Sequence, residues 1–217
     1  MTNKNFSIKE FLIKRPLSWS ALSSFEYNKE QWFETYILGK KQSSPEMTFG
    51  SIVDKKIQND PKFLPKLPRY PVMQYEMRAV FNGIPLIGFP DGLSLNNPDV
   101  KNLKKYKVFD KEGFKLSDYK TGVKKWDQKR ADETGQLTFY LFLLYIIHKF
   151  KPKDFICGIH WLPTSKVEGG DFSVKVDLIS DEHISIVTKR TMQDLLEMGS
   201  RINKVTKEME SYVRNHN

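Results

Sequence analysis

Apolar residues recur at helical spacing in four segments of the chain, two of them near its N-terminus. The first covers residues 18–38, where Ser18 is a suitable N-cap. The second begins at Ser44, because the sequence Ser-Pro-Glu supplies an N-cap, a proline at the first helical position and an acid in the first turn. The remaining two helices are predicted over about 131–149 and about 189–213.

Alternating apolar and polar residues predict strands between these helices. Residues 72–81 and 84–95 flank Asn82-Gly83, and Asn-Gly between apolar runs is the strongest short signal for a β-hairpin. A second hairpin is predicted over residues 104–120. The last strands are expected at 154–162, at 172–179 and, in short form, at 184–187, with residues 164–170 as a connection. This order predicts an α/β or α+β fold in which helices flank a central mixed sheet.

Length and charge narrow the class of protein. The 217 residues are expected to form one domain covering 1–217, with N-terminal helices over 18–58. Lys and Arg outnumber Asp and Glu by 35 to 26, which gives a net charge of +9. Such a charge can serve solubility alone, but it also favours a polyanionic partner, because basic side chains release counterions from phosphates.

The composition also excludes several classes. Cys157 is the only cysteine, so neither a disulfide framework nor a cysteine metal site can form within the chain. The N-terminus lacks the apolar core of a secretion signal, and no apolar run approaches 18 residues, so we expect a cytoplasmic protein without membrane contact. A phosphate-binding loop of NTP motors is also missing from the sequence.

The candidate chemistry centres on Asp118-Tyr119-Lys120. An acid two residues before a lysine occurs five times in the sequence, so the context must select one of them. Side chains alternate along a strand, so Asp118 and Lys120 should share a face with Leu116. Asp91, in a predicted strand, can approach Asp118 if the two hairpins are neighbours in one sheet. Pro90 lacks a backbone donor, so we expect an edge or a bulge there.

Two converging carboxylates are hard oxygen ligands of the kind that Mg²⁺ binds together with substrate phosphates. A bound divalent cation lowers the pKa of water and neutralises charge on a phosphoryl group. Lys120 could then orient the attacking water or stabilise the transition state. Asp91 and Asp118 are therefore candidate metal ligands, although each also fits an ordinary turn or strand end.

Gln136 and Tyr140 are four residues apart and so lie on one face of the predicted helix. Gln136 could bind Lys120 or a metal-associated water, and Tyr140 could contact the substrate backbone. The same pair also fits a helix with one buried tyrosine, because Phe139, Phe142 and Leu143 surround it in the sequence.

These segments together resemble the PD-(D/E)XK nuclease superfamily, and within it the RecB-like exonucleases. The segments GFPDGL, SDYKTG and GQLTFY resemble the metal-Asp, Asp-x-Lys and Gln-x-x-x-Tyr motifs of that family. LSWSALSSFEYNKEQWFETYILG is similar to its N-terminal helix, and FGSIVDKKIQ to its Gly-x-x-x-His helix. The resemblance implies that Asp91 and Asp118 bind Mg²⁺ or Mn²⁺, that Lys120 is catalytic, and that Gln136 and Tyr140 complete the site.

The chain departs from this family at two points. The helical histidine of the family falls at Asp54 here, and a carboxylate there could act as a third metal ligand. Some members hold an iron–sulfur cluster through four cysteines, and this chain lacks them, so no cluster is expected.

The resemblance implies a Mg²⁺- or Mn²⁺-dependent DNA nuclease, most simply an exonuclease of recombination, repair or phage DNA processing. A recombinase, a single-strand annealing protein or a helicase could be its partner. The basic loops 59–71 and 122–130 are candidate walls of a DNA channel, and the second is also compatible with a solvated turn. In that loop the candidate phosphate ligands are Lys124, Lys125, Lys129 and Arg130, and Trp126 is a candidate for stacking on a base.

Two alternatives stay open at this point. A nuclease-like fold could bind DNA or a partner protein without catalysis, for which the missing helical histidine gives some support. A dimeric sequence-specific endonuclease would need a recognition domain, and the sequence shows no obvious one.

Overall fold

A computed structural model of the chain describes residues 7–40, 43–94, 114–168 and 174–216. The helices are α1 (Ile8–Lys14), α2 (Trp19–Tyr27), α3 (Lys29–Trp32), α4 (Pro45–Asn59), α5 (Gln128–Glu133), α6 (Gly135–His148) and α7 (Met192–His216). The strands are β1 (Met77–Phe81), β2 (Ile84–Gly88), β3 (Gly92–Ser94), β4 (Phe114–Gly122), β5 (Phe155–Glu168), β6 (Val174–Leu178) and β7 (Ile184–Thr188). The α+β class with a mixed sheet and flanking helices is confirmed.

The N-terminal helices follow the predicted caps but not all the predicted bounds. The hydroxyl of Ser18 accepts a hydrogen bond from the backbone of Ala21, and the hydroxyl of Ser44 accepts one from Met47. The single helix predicted over 18–38 is wrong, because Asn28 leaves helical geometry and caps α3, and a π-helical turn follows at Phe33–Ile37. Helix α1 lies before the predicted elements.

The strand predicted over 84–95 is divided in two. Strand β2 ends at Gly88 and pairs with β1 around the Asn82-Gly83 turn, as predicted. Strand β3 begins at Gly92 and belongs to the larger sheet, so Asp91 lies in the break and not within a strand. The physical reason is Pro90, which has no N–H for the ladder. Of the second predicted hairpin, residues 104–113 lie outside the described residues.

The larger sheet is built around β4 and β5. Strand β3 pairs antiparallel with β4, and β4 pairs parallel with β5. Strand β5 is longer than predicted: its first half pairs with β7 and its second half with β6, so the expected connection at 164–170 is in fact strand up to Glu168. Helix α6 follows β4 through α5 and packs against the β1–β2 hairpin, β4 and α7.

The two faces of β4 contact different layers. Leu116 is fully buried in the main core with α6, whereas Tyr119 belongs to a smaller apolar cluster with Val53 and Ile57 of α4. The basic loop predicted over 59–71 begins after Asn59, which ends α4, and residues 60–71 have no regular structure. Leu64 and Leu67 are buried in that smaller cluster, so this loop is anchored against α4. Among the described helices, none combines the length and apolar character that a membrane crossing requires.

Arg190 holds the junction between β7 and the start of α6. Its side chain is 5% exposed and uses all five of its N–H groups as donors. The acceptors are the hydroxyls of Thr138 and Thr188 and the carbonyl oxygens of Ala131, Thr134 and Lys189, at 2.6–3.0 Å.

We expect Arg190→Met to lower the free energy of unfolding by about 3 kcal/mol, because it leaves several buried acceptors without a donor. Chemical denaturation measures this change. Arg78→Met is the matched control, since Arg78 forms an exposed ion pair with Glu76 and should change stability by less than about 1 kcal/mol. Equal losses in the two variants would contradict the role of the buried network.

Candidate active site

Asp118 is a fully buried acid with charged and polar partners. Its side chain is 1% exposed and lies on the face of β4 that meets α6. The Nε2 of Gln136 donates a hydrogen bond to its Oδ1 at 2.7 Å, and the Nζ of Lys120 lies 2.5 Å from its Oδ2. The ion pair does not have hydrogen-bond geometry, so the Oδ2 of Asp118 is buried without a hydrogen-bond donor among the described residues.

Asp91 faces Asp118 from the break between β2 and β3. Gly92 pairs with Ser117 in the antiparallel register, so Asp91, the residue before β3, lies opposite Asp118 when this register is continued. The Oδ2 of Asp91 accepts a hydrogen bond from the backbone N–H of Tyr119 at 2.8 Å. The side chain therefore replaces the main-chain partner that β4 loses where β3 breaks, and this contact fixes the carboxylate beside Asp118.

Gln136 connects the lysine, the acid and the tyrosine predicted from the sequence. Its Oε1 accepts a hydrogen bond from the Nζ of Lys120 at 2.7 Å, and its Nε2 donates to the hydroxyl of Tyr140 at 2.9 Å as well as to Asp118. The structure thus brings Asp91, Asp118, Lys120, Gln136 and Tyr140 together. The ring of Tyr140 is buried in the core while its hydroxyl joins this network, and its contact with a substrate backbone stays a prediction.

Burial and like charge raise the pKa of the Asp91 carboxyl well above its usual range. Desolvation is the largest cause, and the Asp118 charge adds to it, while Lys120 and the Tyr119 N–H act in the opposite direction. Asp54 also contributes repulsion to Asp91. A site that crowds carboxylates in this way favours an added cation.

A cavity of about 470 Å³ opens at this end of β4. Asp54 of α4 lines it together with Asp91 and Lys120, whereas Asp118, which is paired with Lys120, does not line it. Helix α4 approaches β4 closely at Gly50, where a Cβ atom would lie 3.2 Å from the hydroxyl of Thr121.

The donor set fits a divalent cation in part. The Oδ1 of Asp54 is buried without a hydrogen-bond partner, and the Oδ2 of Asp118 has only Lys120, so two oxygen ligands are under-satisfied. However, no three His, Cys, Asp or Glu side chains gather at metal-binding distances within the described ranges. Asp91 and Asp118 are thus the adjacent pair, and Asp54 lines the same cavity without joining them.

The loop predicted over 122–130 is shorter than expected, because Gly122 ends β4 and α5 begins at Gln128, and one of its candidate contacts, Trp126, is wrong. Lys124, Lys125 and Lys129 are exposed, as a phosphate contact requires. Trp126 is not available for stacking on a base, because its ring is 7% exposed and the Arg130 guanidinium covers it at 4.0 Å. Arg130 also donates to the carbonyl oxygens of Lys124 and Lys125, so it holds the loop in shape.

Gln74 is a site residue that the sequence analysis did not identify. Its Nε2 donates a hydrogen bond to the Oδ1 of Asp91 at 2.7 Å, and its backbone has a φ of 51°. Gln74 falls within the strand predicted over 72–81, but β1 begins only at Met77, and nothing in the sequence around Gln74 indicates a left-handed backbone. A polar side chain within a predicted apolar strand was the one available signal.

A buried hydrogen-bonded chain lies on the opposite face of β4. The hydroxyl of Ser117 donates to that of Tyr70, Tyr70 lies 2.6 Å from the Nε2 of His160, and the Nδ1 of His160 lies 2.8 Å from the Ser185 hydroxyl. Desolvation, with a smaller contribution from His183, lowers the pKa of His160 to about 4. His160 is therefore a neutral structural group in this face of the sheet.

This burial predicts acid sensitivity. An unfolded histidine has a pKa of about 6.5, so the unfolded chain binds the proton first as the pH falls. The stability from neutral His160 is fully present above pH 6.5 and is lost as the pH falls toward 4, by about 3 kcal/mol in total. Urea denaturation at several pH values should show that His160→Gln loses less stability over this range than the wild type; parallel curves would contradict the assignment.

The fold and the site together describe an α+β protein with two acids, a lysine and a glutamine gathered at one end of its central strand. No family model matches the sequence, and no curated protein matches it. The structure is similar to the crystal structure of a putative exonuclease from Eubacterium rectale, with a TM-score of 0.51 and 12% sequence identity, over 100% of this chain and 87% of that one. At this identity the likeness shows a shared fold and no more.

Proposed function

We propose that this protein is a Mg²⁺- or Mn²⁺-dependent DNA nuclease of the RecB-like PD-(D/E)XK type, and that it acts as an exonuclease. The observation that carries the proposal is the position of Asp91 directly opposite Asp118, with Lys120 and Gln136 in contact with the second acid. The shared fold with the Eubacterium rectale protein, whose name describes an exonuclease, supports the same conclusion.

Asp91 and Asp118 would hold the cation, and Asp54 could bind it through water from the opposite wall of the cavity. When bound, a divalent cation polarises the phosphoryl group and lowers the pKa of water. Lys120 would direct its ammonium toward the scissile phosphate, because its Nζ is already held by Gln136 beside the acids. Gln136 thus keeps the lysine and Asp118 in a fixed relative geometry.

The charge of the surrounding surface supports a DNA substrate. Lys124 and Lys125 extend from the loop that follows β4, and Lys129 extends from the first turn of α5, so all three could contact phosphates of a bound strand. On this proposal, DNA ends in recombination, repair or phage processing are the substrate, and a recombinase, annealing protein or helicase would supply them.

Incubation with linear and with covalently closed circular DNA tests the proposal, in Mg²⁺, in Mn²⁺ and in EDTA. We expect degradation of linear DNA only, and only with a divalent cation. Cutting of closed circles would make the protein an endonuclease. Retardation of DNA in gels without metal-dependent cleavage would overturn the catalytic proposal in favour of a binding module.

A further inference from the structure

Gln74 adopts a backbone conformation that a glutamine rarely takes. Its φ of 51° lies in the left-handed region, where a Cβ atom is strained. Glycine would meet the same backbone requirement without strain, so the turn alone does not account for a glutamine here. Its one hydrogen bond in the described part of the chain is the 2.7 Å contact from its Nε2 to the Oδ1 of Asp91.

The neighbouring backbone explains how Gln74 reaches the site. Val72 and Leu93 exchange backbone hydrogen bonds at 2.8 and 3.1 Å across an antiparallel bridge. In that register, residue 74 lies opposite residue 91, and residue 91 lies opposite residue 118 through the β3–β4 pairing. Asp91 is thus enclosed between Gln74 on one side and β4 on the other.

We infer that Gln74 is a positioning residue that holds Asp91 in place for the metal, an inference that rests on the proposed function. Each of the two acids is then bound by one glutamine amide: Gln136 donates to Asp118, and Gln74 donates to Asp91. The backbone N–H of Tyr119 holds the second oxygen of Asp91.

The two glutamine contacts counter the electrostatic repulsion between the two carboxylates. Two neighbouring carboxylates repel each other, so without fixed donors the more exposed one would rotate away before a cation arrives. Asp91 is half-buried, whereas Asp118 is fully buried, so Asp91 is the one that needs a restraint. A donor on each oxygen leaves further lone pairs for a cation, since a carboxylate has about four acceptor sites. Removal of a group that orients a metal ligand in this way typically lowers metal affinity or activity by about 10- to 100-fold.

Two substitutions separate this role from simple support of the fold. Gln74→Met keeps the strained backbone and the bulk but removes the donor, so it should lower the melting temperature. Gln74→Gly removes the donor and also the strain, so it should keep or raise the melting temperature. If the hydrogen bond positions Asp91, both variants bind Mn²⁺ about 10- to 100-fold more weakly in titration calorimetry, although their stabilities change in opposite directions.

Lys149→Gly is the matched control, because Lys149 also has a left-handed backbone, with a φ of 62°, at the far end of α6. It should leave Mn²⁺ affinity unchanged. Wild-type affinity in both Gln74 variants, or a loss only in the less stable one, overturns the inference alone. A wild-type protein that binds no Mn²⁺ overturns the inference together with the proposed function.

Discussion

Asp118→Asn is expected to reduce metal-dependent DNA cleavage by about a thousandfold or more while the protein stays folded. The change removes one of the two neighbouring carboxylates that would hold the cation, and with it several kcal/mol of transition-state stabilisation. Each 1.36 kcal/mol lost slows the reaction about tenfold. The amide keeps the shape of the buried side chain, and its Oδ1 can still accept the hydrogen bond from Gln136. It also removes the repulsion that Asp118 exerts on Asp91.

The measurement combines cleavage rates with thermal unfolding in EDTA and in Mn²⁺. The variant should unfold near the wild-type temperature in EDTA and should lose the stabilisation that Mn²⁺ gives to the wild type. Asp181→Asn is the matched control, because Asp181 is an exposed acid between β6 and β7. Cleavage at the wild-type rate by Asp118→Asn would exclude this acid as a metal ligand.

Lys120→Met is expected to reduce the cleavage rate by about 100- to 1,000-fold, which is the usual effect of removing one hydrogen-bond donor to the transition state of an enzyme. Its effect on metal binding should be opposite to that of Asp118→Asn. The Nζ of Lys120 lies 2.5 Å from Asp118, so it competes with a cation for that carboxylate. Without it, Mn²⁺ should bind at least as tightly, while the metal-free protein becomes less stable, because a buried carboxylate loses its counter-charge.

Calorimetry with Mn²⁺ and single-turnover cleavage at saturating metal measure these two effects separately. Lys153→Met removes an exposed lysine near the start of β5 and controls for the loss of one positive charge. If Lys120→Met cleaved normally at saturating Mn²⁺, the lysine would be only a counter-ion for Asp118 and not part of the chemistry.

The sequence was informative where the relevant geometry is local. Alternation along β4 places Asp118 and Lys120 on one face of the strand, and helical spacing places Gln136 and Tyr140 on one face of α6. Packing of α6 on β4 is then enough to bring the two pairs into contact. The prediction for Asp91 assumed a position within a strand. The strand in fact breaks at Pro90, and the Asp91 carboxylate accepts a hydrogen bond from β4 from within that break.

Residues fixed by long-range contacts could not be predicted. Gln74 reaches Asp91 through the bridge between Val72 and Leu93, which no local pattern indicates. Trp126 is predicted to stack on a base because it lies in a basic segment, whereas its ring is in fact buried in the core. Whether a large ring lies inside or outside depends on the space that the other elements leave, and that space is set by the complete fold.

The strict division of the two faces of β4 limits how this strand can change in length. Asp118 and Lys120 serve the acidic site, while Ser117 and Tyr119 bind Tyr70 and Pro68 on the other side. Deleting or inserting a single residue within β4 would exchange the two sets, turning a serine toward Gln136 and an aspartate toward the histidine chain. Insertions or deletions within β4 should therefore be tolerated only in pairs.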